Sequence, residues 1–178
     1  MTNGCCLWLT GLSGAGKTTI AQALVKELES QVNKYRVHHL DGDVVRKSFT
    51  SDLGFNKEDR DENIRRVSYV ASYLSQENIA ICTFISPYRE ARHKVRERCN
   101  NFIEVYVKCP IEVCEDRDVK GLYKKARSGE IKEFTGISDP YEEPLSPDVV
   151  VETSRSSVQS CVYEIMAYLA KHGIIKAQ

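Results

Sequence analysis

No excess of charge of either sign marks this chain of 178 residues: 25 Lys and Arg balance 25 Asp and Glu. A neutral sequence offers no global field for nucleic acid or an anionic membrane, so any anionic ligand has to be held by a local constellation. No run approaches the roughly 20 consecutive apolar residues that a membrane helix needs. The opening MTNGCCLWLTGLSG has a short apolar stretch, no basic leader and no small-residue cleavage site, and reads as unexported. The seven cysteines contain no CxxC pair, and the spacing of Cys109 and Cys114 finds no second Cys or His pair to complete a zinc site. An odd count in a chain this long also argues against a disulfide scaffold. Reduced cysteines acting as small apolar residues, in a cytoplasmic protein, are expected. Internal repeats and low-complexity tracts are absent.

What is there is an alternation of short apolar runs with longer amphipathic segments. At a length that suits one domain, this pattern predicts strand-helix-strand units: an α/β three-layer sandwich, its five-stranded sheet mostly parallel and covered by helices on both faces. The strands are expected at Cys5 to Thr10, Tyr35 to Leu40, Ile79 to Phe84, Phe102 to Val107 and Val149 to Glu152. Helical stripes mark Lys17 to Ser30, Glu58 to Gln76 and Ser156 to Ala170. Arg117 to Pro147 breaks the rhythm with charge, Gly and Pro and little apolar periodicity. A connection that long in a compact domain reads as a lid or binding loop, ordered in part by Tyr123, Phe134 and Tyr141.

Gly11-Leu12-Ser13-Gly14-Ala15-Gly16-Lys17-Thr18 matches GxxxxGK[ST] between a predicted strand and a predicted helix, the context that the motif requires. Its glycines let successive backbone N–H groups converge on phosphate oxygens, and the helix start adds a positive end. Lys17 then supplies a charge at the outer phosphates and Thr18 a hydroxyl for magnesium. Asn56 to Asp59 spells NKxD and Asp118 to Gly121 spells DxxG, two GTPase signatures, but they occur in the reverse order and without preceding strands. Chance matches are the better reading.

The second strand leads into Leu40-Asp41-Gly42-Asp43-Val44-Val45-Arg46, with two carboxylates and a guanidinium at the carboxyl edge of the sheet, where open α/β folds hold ligands. If the strand extends, Asp41 and Asp43 point the same way. One can organise magnesium and the other accept the proton of an attacking hydroxyl; the sequence leaves open which does which. Downstream, Phe55 precedes Arg60, Asn63, Arg65 and Arg66. Arg60 and Asn63 share a face if helical, and an acceptor bearing phosphate or sulfate calls for arginine forks. At Phe84-Ile85-Ser86-Pro87-Tyr88-Arg89 the chain crosses the same edge again, and Ser86 has three open roles: helix cap, substrate contact or phosphorylated residue.

These residues together resemble the adenylyl-sulfate kinase family. The resemblance runs from Leu7 to about Ser157 and rests on WLTGLSGAGKTT, LDGD followed by VR, LGF with DR.ENIRR, FISPYR, FIEVYV, DVKGLYKKAR and FTGISDPYE. It implies a P-loop kinase that phosphorylates adenylyl sulfate with ATP and Mg2+, free-standing and homodimeric, without nucleic acid or membrane. By position, Gly11, Ser13, Gly14, Ala15, Gly16, Lys17, Thr18 and Thr19 would hold the nucleotide with Arg117 and Ser157, and Thr18 and Asp41 the metal. Asp43, Arg46, Arg60 and Asn63 would hold adenylyl sulfate, Phe55 and Phe134 would sandwich its adenine, and Ile85, Ser86, Lys120 and Thr135 would line that site. Lys17, Asp41, Asp43 and Ser86 are the implied catalytic set. Two departures stand out: Val44 replaces the family's usual Asn, and Ser48-Phe49-Thr50 replaces its usual GLN. Another small-molecule P-loop kinase, for a nucleoside monophosphate or a sugar acid, would share the loop and the lid but would not need two phenylalanines for one base.

Overall fold

The computed structural model describes residues 4–31 and 36–176. Five strands, β1 (Cys5–Thr10), β2 (Val37–Asp41), β3 (Ile79–Thr83), β4 (Phe102–Lys108) and β5 (Val149–Glu152), form one sheet in the order β2-β3-β1-β4-β5. Every pairing is parallel. Among the described residues seven helices accompany them: α1 (Lys17–Gln31), α2 (Gly42–Lys47), α3 (Lys57–Leu74), α4 (Arg89–Arg98), α5 (Ile111–Arg117), α6 (Leu122–Arg127) and α7 (Val158–Lys171).

The central strand explains the layering. All six residues of β1 are buried, and because strand side chains alternate, Cys5, Leu7 and Leu9 enter one core while Cys6 and Trp8 enter the other. The first core takes Ile20, Leu24 and Leu28 from α1 and Ile165 and Leu169 from α7. The second takes Val67 and Ala71 from α3 and Val95 from α4. A strand covered on both faces needs a continuous apolar run, which is how CCLWLT reads. All seven cysteines are buried free thiols within these layers.

The expected elements fall within about two residues of those observed, with Tyr35 outside the described residues. Two corrections matter for the site. The second strand stops at Asp41, so Asp43 lies in the first turn of α2 and does not share a strand face with Asp41. It is Asp41 that caps this helix, accepting from the backbone N–H groups of Asp43 and Val44. The segment from Arg117 to Pro147 is also better anchored than its composition predicts. It contains α6, and Tyr123, Ala126 and Phe134 join the first core. Tyr123 meets the edge of Phe134 at 5.0 Å and donates to the Ser13 carbonyl at 2.9 Å, tying the segment to the glycine loop.

Candidate active site

The loop between β1 and α1 is shaped by close approaches that only glycine permits. A Cβ on Gly11 would sit 2.5 Å from the Val107 carbonyl oxygen, and Gly14, at φ +75°, packs against the Cys114 backbone. Two residues brace the loop from behind. Arg117 donates to the carbonyls of Gly14 (3.2 Å) and Thr153 (2.7 Å), and the Thr153 hydroxyl donates to the Ala15 carbonyl (2.8 Å). Sequence reasoning points to Arg117 as a nucleotide residue but misses Thr153, a lone threonine beyond β5 with no motif to mark it. Ser157 uses its hydroxyl to cap α7.

Lys17 folds back over the loop and donates to the carbonyls of Gly11 and Leu12, 2.8 Å each. Burial pushes its pKa down to about 8, with Lys120 also lowering it and the nearby Asp43 and Asp41 opposing. The loop lysine, the two aspartates of the sheet edge and Lys120 thus act on one another in one place. Thr18 donates to Asp41 Oδ2 at 2.8 Å, as does Thr83 at 3.1 Å. With the two backbone N–H groups on Oδ1, this carboxylate accepts four hydrogen bonds. Burial alone would raise its pKa, but those donors outweigh it and hold the group below the usual carboxylate range. Asp43 is different: exposed, it forms an ion pair with Lys120.

Thr18 and Asp41 offer oxygen ligands only, a set that suits Mg2+. Among the described residues no three His, Cys, Asp or Glu side chains gather into a metal cage. An ion here would therefore complete its shell from nucleotide phosphates and water, the usual habit of Mg2+.

The helix α3 is capped by Asn56, which accepts from the Asp59 N–H, while Asp118 accepts from the N–H groups of Tyr123 and Lys124 at the start of α6. The two GTPase look-alikes are thus helix-start residues. Arg60 is buried and spends its guanidinium on the Phe55 carbonyl (2.6 Å), the Thr135 hydroxyl (2.9 Å) and the Glu133 carbonyl. Phe55 is 61% exposed, with the Arg46 guanidinium 4.8 Å from its ring centre and that of Arg60 at 5.8 Å. Arg46 also donates to the Leu53 and Gly54 carbonyls. Asn63 is buried and accepts from Thr50 at 2.7 Å, so Thr50 has a defined partner. Arg46, Phe55, Arg60 and Thr135 are therefore brought together, while Phe134, at 8% exposure, packs mostly into the core.

Ile85 is half-buried, and its carbonyl accepts from Thr10 at 2.7 Å. Ser86 is 2% exposed and sits at φ +41°, a conformation that a non-glycine residue adopts only when its surroundings enforce it. Trp8 Nε1 donates to its hydroxyl, which donates in turn to Thr10, both at 3.0 Å. Since Thr10 gives its proton to Ile85, Tyr141 donates to Thr10 at 2.9 Å. This closed chain of hydroxyls leaves Ser86 no free proton. A cavity of about 610 Å³ lies nearby, walled by Leu12, Tyr106, Ile111, Gly136 and Tyr141, but none of the residues expected to bind nucleotide or acceptor lines it.

A parallel α/β sheet carrying a glycine phosphate loop, an acidic edge and an arginine-aromatic cluster defines a P-loop phosphotransferase. The adenylylsulphate kinase family model matches residues 3–152, and the chain belongs to that family. It is 56% identical over 173 residues to the adenylyl-sulfate kinase of Halothermothrix orenii, covering 97% of this chain and 92% of that one. Among solved structures it resembles the Mycobacterium tuberculosis APS kinase in complex with AMPPNP and APS, at 38% identity and a TM-score of 0.89 over 95% of this chain and 99% of that one. A hexameric APS kinase from Thiobacillus denitrificans matches with a TM-score of 0.74 at 34% identity, over 98% of this chain and 30% of that longer one.

Proposed function

We infer that this chain is an adenylyl-sulfate kinase, transferring the γ-phosphoryl group of MgATP to the 3′-hydroxyl of adenosine 5′-phosphosulfate to give 3′-phosphoadenylyl sulfate and ADP. One observation carries the reading: the exposed Phe55 ring is flanked by Arg46 and Arg60, and the lysine of the phosphate loop lies within electrostatic reach of Asp41, Asp43 and Lys120. An aromatic platform beside guanidinium groups suits a purine nucleotide with an anionic tail.

Roles divide by geometry. Gly11 and residues 13–19 hold the ATP phosphates, with Arg117 and Thr153 fixing the loop. Asp41, saturated with donors, keeps the Thr18 hydroxyl turned toward the metal side. Bound there, Mg2+ would offset charge on the phosphoryl oxygens. Asp43, with only the Lys120 ion pair, is free to accept the proton of the attacking hydroxyl once Lys120 turns to the acceptor. Transfer is direct and in line, because the Ser86 proton is committed to Thr10. Ser86 lines the acceptor side and donates to Thr10, whose own hydroxyl holds the Ile85 backbone. The segment 117–147 closes over both substrates as a lid, pivoting on the Tyr123 and Phe134 anchors, and excludes water from the phosphoryl group. The enzyme works as a homodimer in the cytoplasm; seven buried reduced thiols suit that compartment.

The test is a screen of purified protein with MgATP against adenylyl sulfate, AMP, gluconate and shikimate, reading ADP and the phosphorylated product. Phosphorylation of adenylyl sulfate alone is expected. Preference for AMP or a sugar acid would overturn the assignment.

A further inference from the structure

One polar side chain at the sheet edge has no part in the roles above. His39 lies two residues before Asp41 on β2, so both side chains project from the same face, and the register sets Asp41 beside Thr83 of β3. His39 Nε2 lies 3.0 Å from Thr83 Oγ1 and 4.0 Å from Asp41 Oδ2. Proton accounting then fixes every direction in the group. Thr83 has one hydroxyl proton, and the ionised carboxylate 3.1 Å away can only accept it. The Thr83 oxygen must therefore take its bond from His39, whose Nε2 carries the hydrogen. Asp41 Oδ2 receives the Thr83 and Thr18 protons side by side, and a Thr18 that gives its proton to Asp41 presents its lone pairs outward.

We propose that His39 is a positioning residue for the metal-nucleotide site: through Thr83 it locks the rotamer of Asp41, and Asp41 in turn aims the Thr18 oxygen at the cation. Without His39 the Thr83 hydroxyl is free to rotate, the carboxylate loses one of its four donors, and Thr18 loses its fixed acceptor. Partners of this outer kind typically change metal affinity or activity by about 10- to 100-fold when removed. The proposal rests on the MgATP reading of the loop, so the experiment separates the two.

Calorimetric titration of ADP is carried out with Mg2+ and with EDTA, on the intact protein and on His39→Leu and His39→Gln. For His39→Leu, affinity for MgADP should fall about tenfold, while metal-free ADP and the KM for adenylyl sulfate stay within twofold of the parent, a spread of about 0.4 kcal/mol. His39→Gln keeps an N–H donor of similar reach and should regain most of the loss. Long-range proton-nitrogen spectra of the unaltered protein should show His39 as the Nε2–H tautomer, its signal identified by its absence from the variants. An unchanged MgADP affinity in His39→Leu, an equal loss with EDTA, or an Nδ1–H tautomer would overturn the proposal. Failure of the parent protein to bind ADP at all would instead remove the nucleotide reading itself.

Discussion

On the proposed reading the nucleotide half of the site is one continuous stretch, Gly11 to Thr18, whereas the acceptor half would draw Arg46, Phe55, Arg60, Lys120 and Thr135 from separate parts of the chain. Backbone N–H groups do most of the binding in the first, so its chemistry survives many changes of side chain as long as the loop keeps its shape. Side chains would do the binding in the second, and Arg60 also holds the fold: it joins α3 to the 133–135 turn with the same guanidinium that would face an anion. A substitution in the acceptor half can therefore weaken binding, the fold or both, and only separate measurements of affinity and stability tell these apart. The two phenylalanines make the contrast plainest, because one is open and the other is core.

The largest effect expected from that division is on stability. Phe134→Ala should cost about 3 to 5 kcal/mol in urea unfolding, as core Phe truncations do, and a loss below about 1 kcal/mol would return Phe134 to the role of a pure stacking residue. Next, Lys17→Ala should lower turnover by about 100- to 1000-fold while leaving adenylyl sulfate binding intact; near-normal turnover would sink the loop assignment. Phe55→Ala should weaken adenylyl sulfate by about 5- to 150-fold, the range of one base-stacking contact, with little change in melting temperature or in ATP binding. Equal losses for both nucleotides would erase the distinction between the halves.

Of similar size, Ser86→Ala orphans the buried Trp8 N–H, which should cost about 1 to 3 kcal/mol of stability and leave turnover measurable. Abolished turnover with both substrates still bound would favour a phosphoserine route. The smallest effect is a slope. The folded pKa of Lys17, about 8, lies below its ordinary value of 10.5, so between these limits the unfolded chain binds more protons and stability rises with pH. The rise is at most about 1.4 kcal/mol per pH unit from one group. Lys17→Met should lose this slope between pH 8 and 10, and an unaltered slope would mean that the lysine is not desolvated.

Sequence and structure agree best where a pattern is local. Four of the five strands are short, largely apolar runs, and the loop is a spaced set of glycines with a lysine, so both can be read directly. What escapes reading depends on distant partners. Helices of six or seven residues such as α2, α5 and α6 are too short to display an apolar stripe, and α4, REARHKVRER, buries an arginine alongside Ala91 and Val95. Arg92 is buried with its charge paired to Glu104 of β4 at 2.8 Å and its other N–H groups on the Ser86 and Glu142 carbonyls. In sequence, Asp43 reads as an extension of the strand because nothing near it signals that Asp41 will cap a helix in its place. Phe134 reads as a free lid residue because Tyr123, eleven positions earlier, supplies its packing partner only in three dimensions.

The closed hydroxyl chain also has an optical consequence. Trp8 is the single tryptophan of the sequence, fully buried, stacked on Phe84 at 5.2 Å and bonded through its indole N–H to Ser86. The chain therefore carries one indole fluorophore, free of interference from any other, seated beneath the Ile85–Ser86 crossing and joined by hydroxyls to Tyr141. Its emission is set by a dry environment and one hydrogen bond, so a change of wavelength on adding adenylyl sulfate would report directly on that crossing, and the kinetics of acceptor binding become visible without any label.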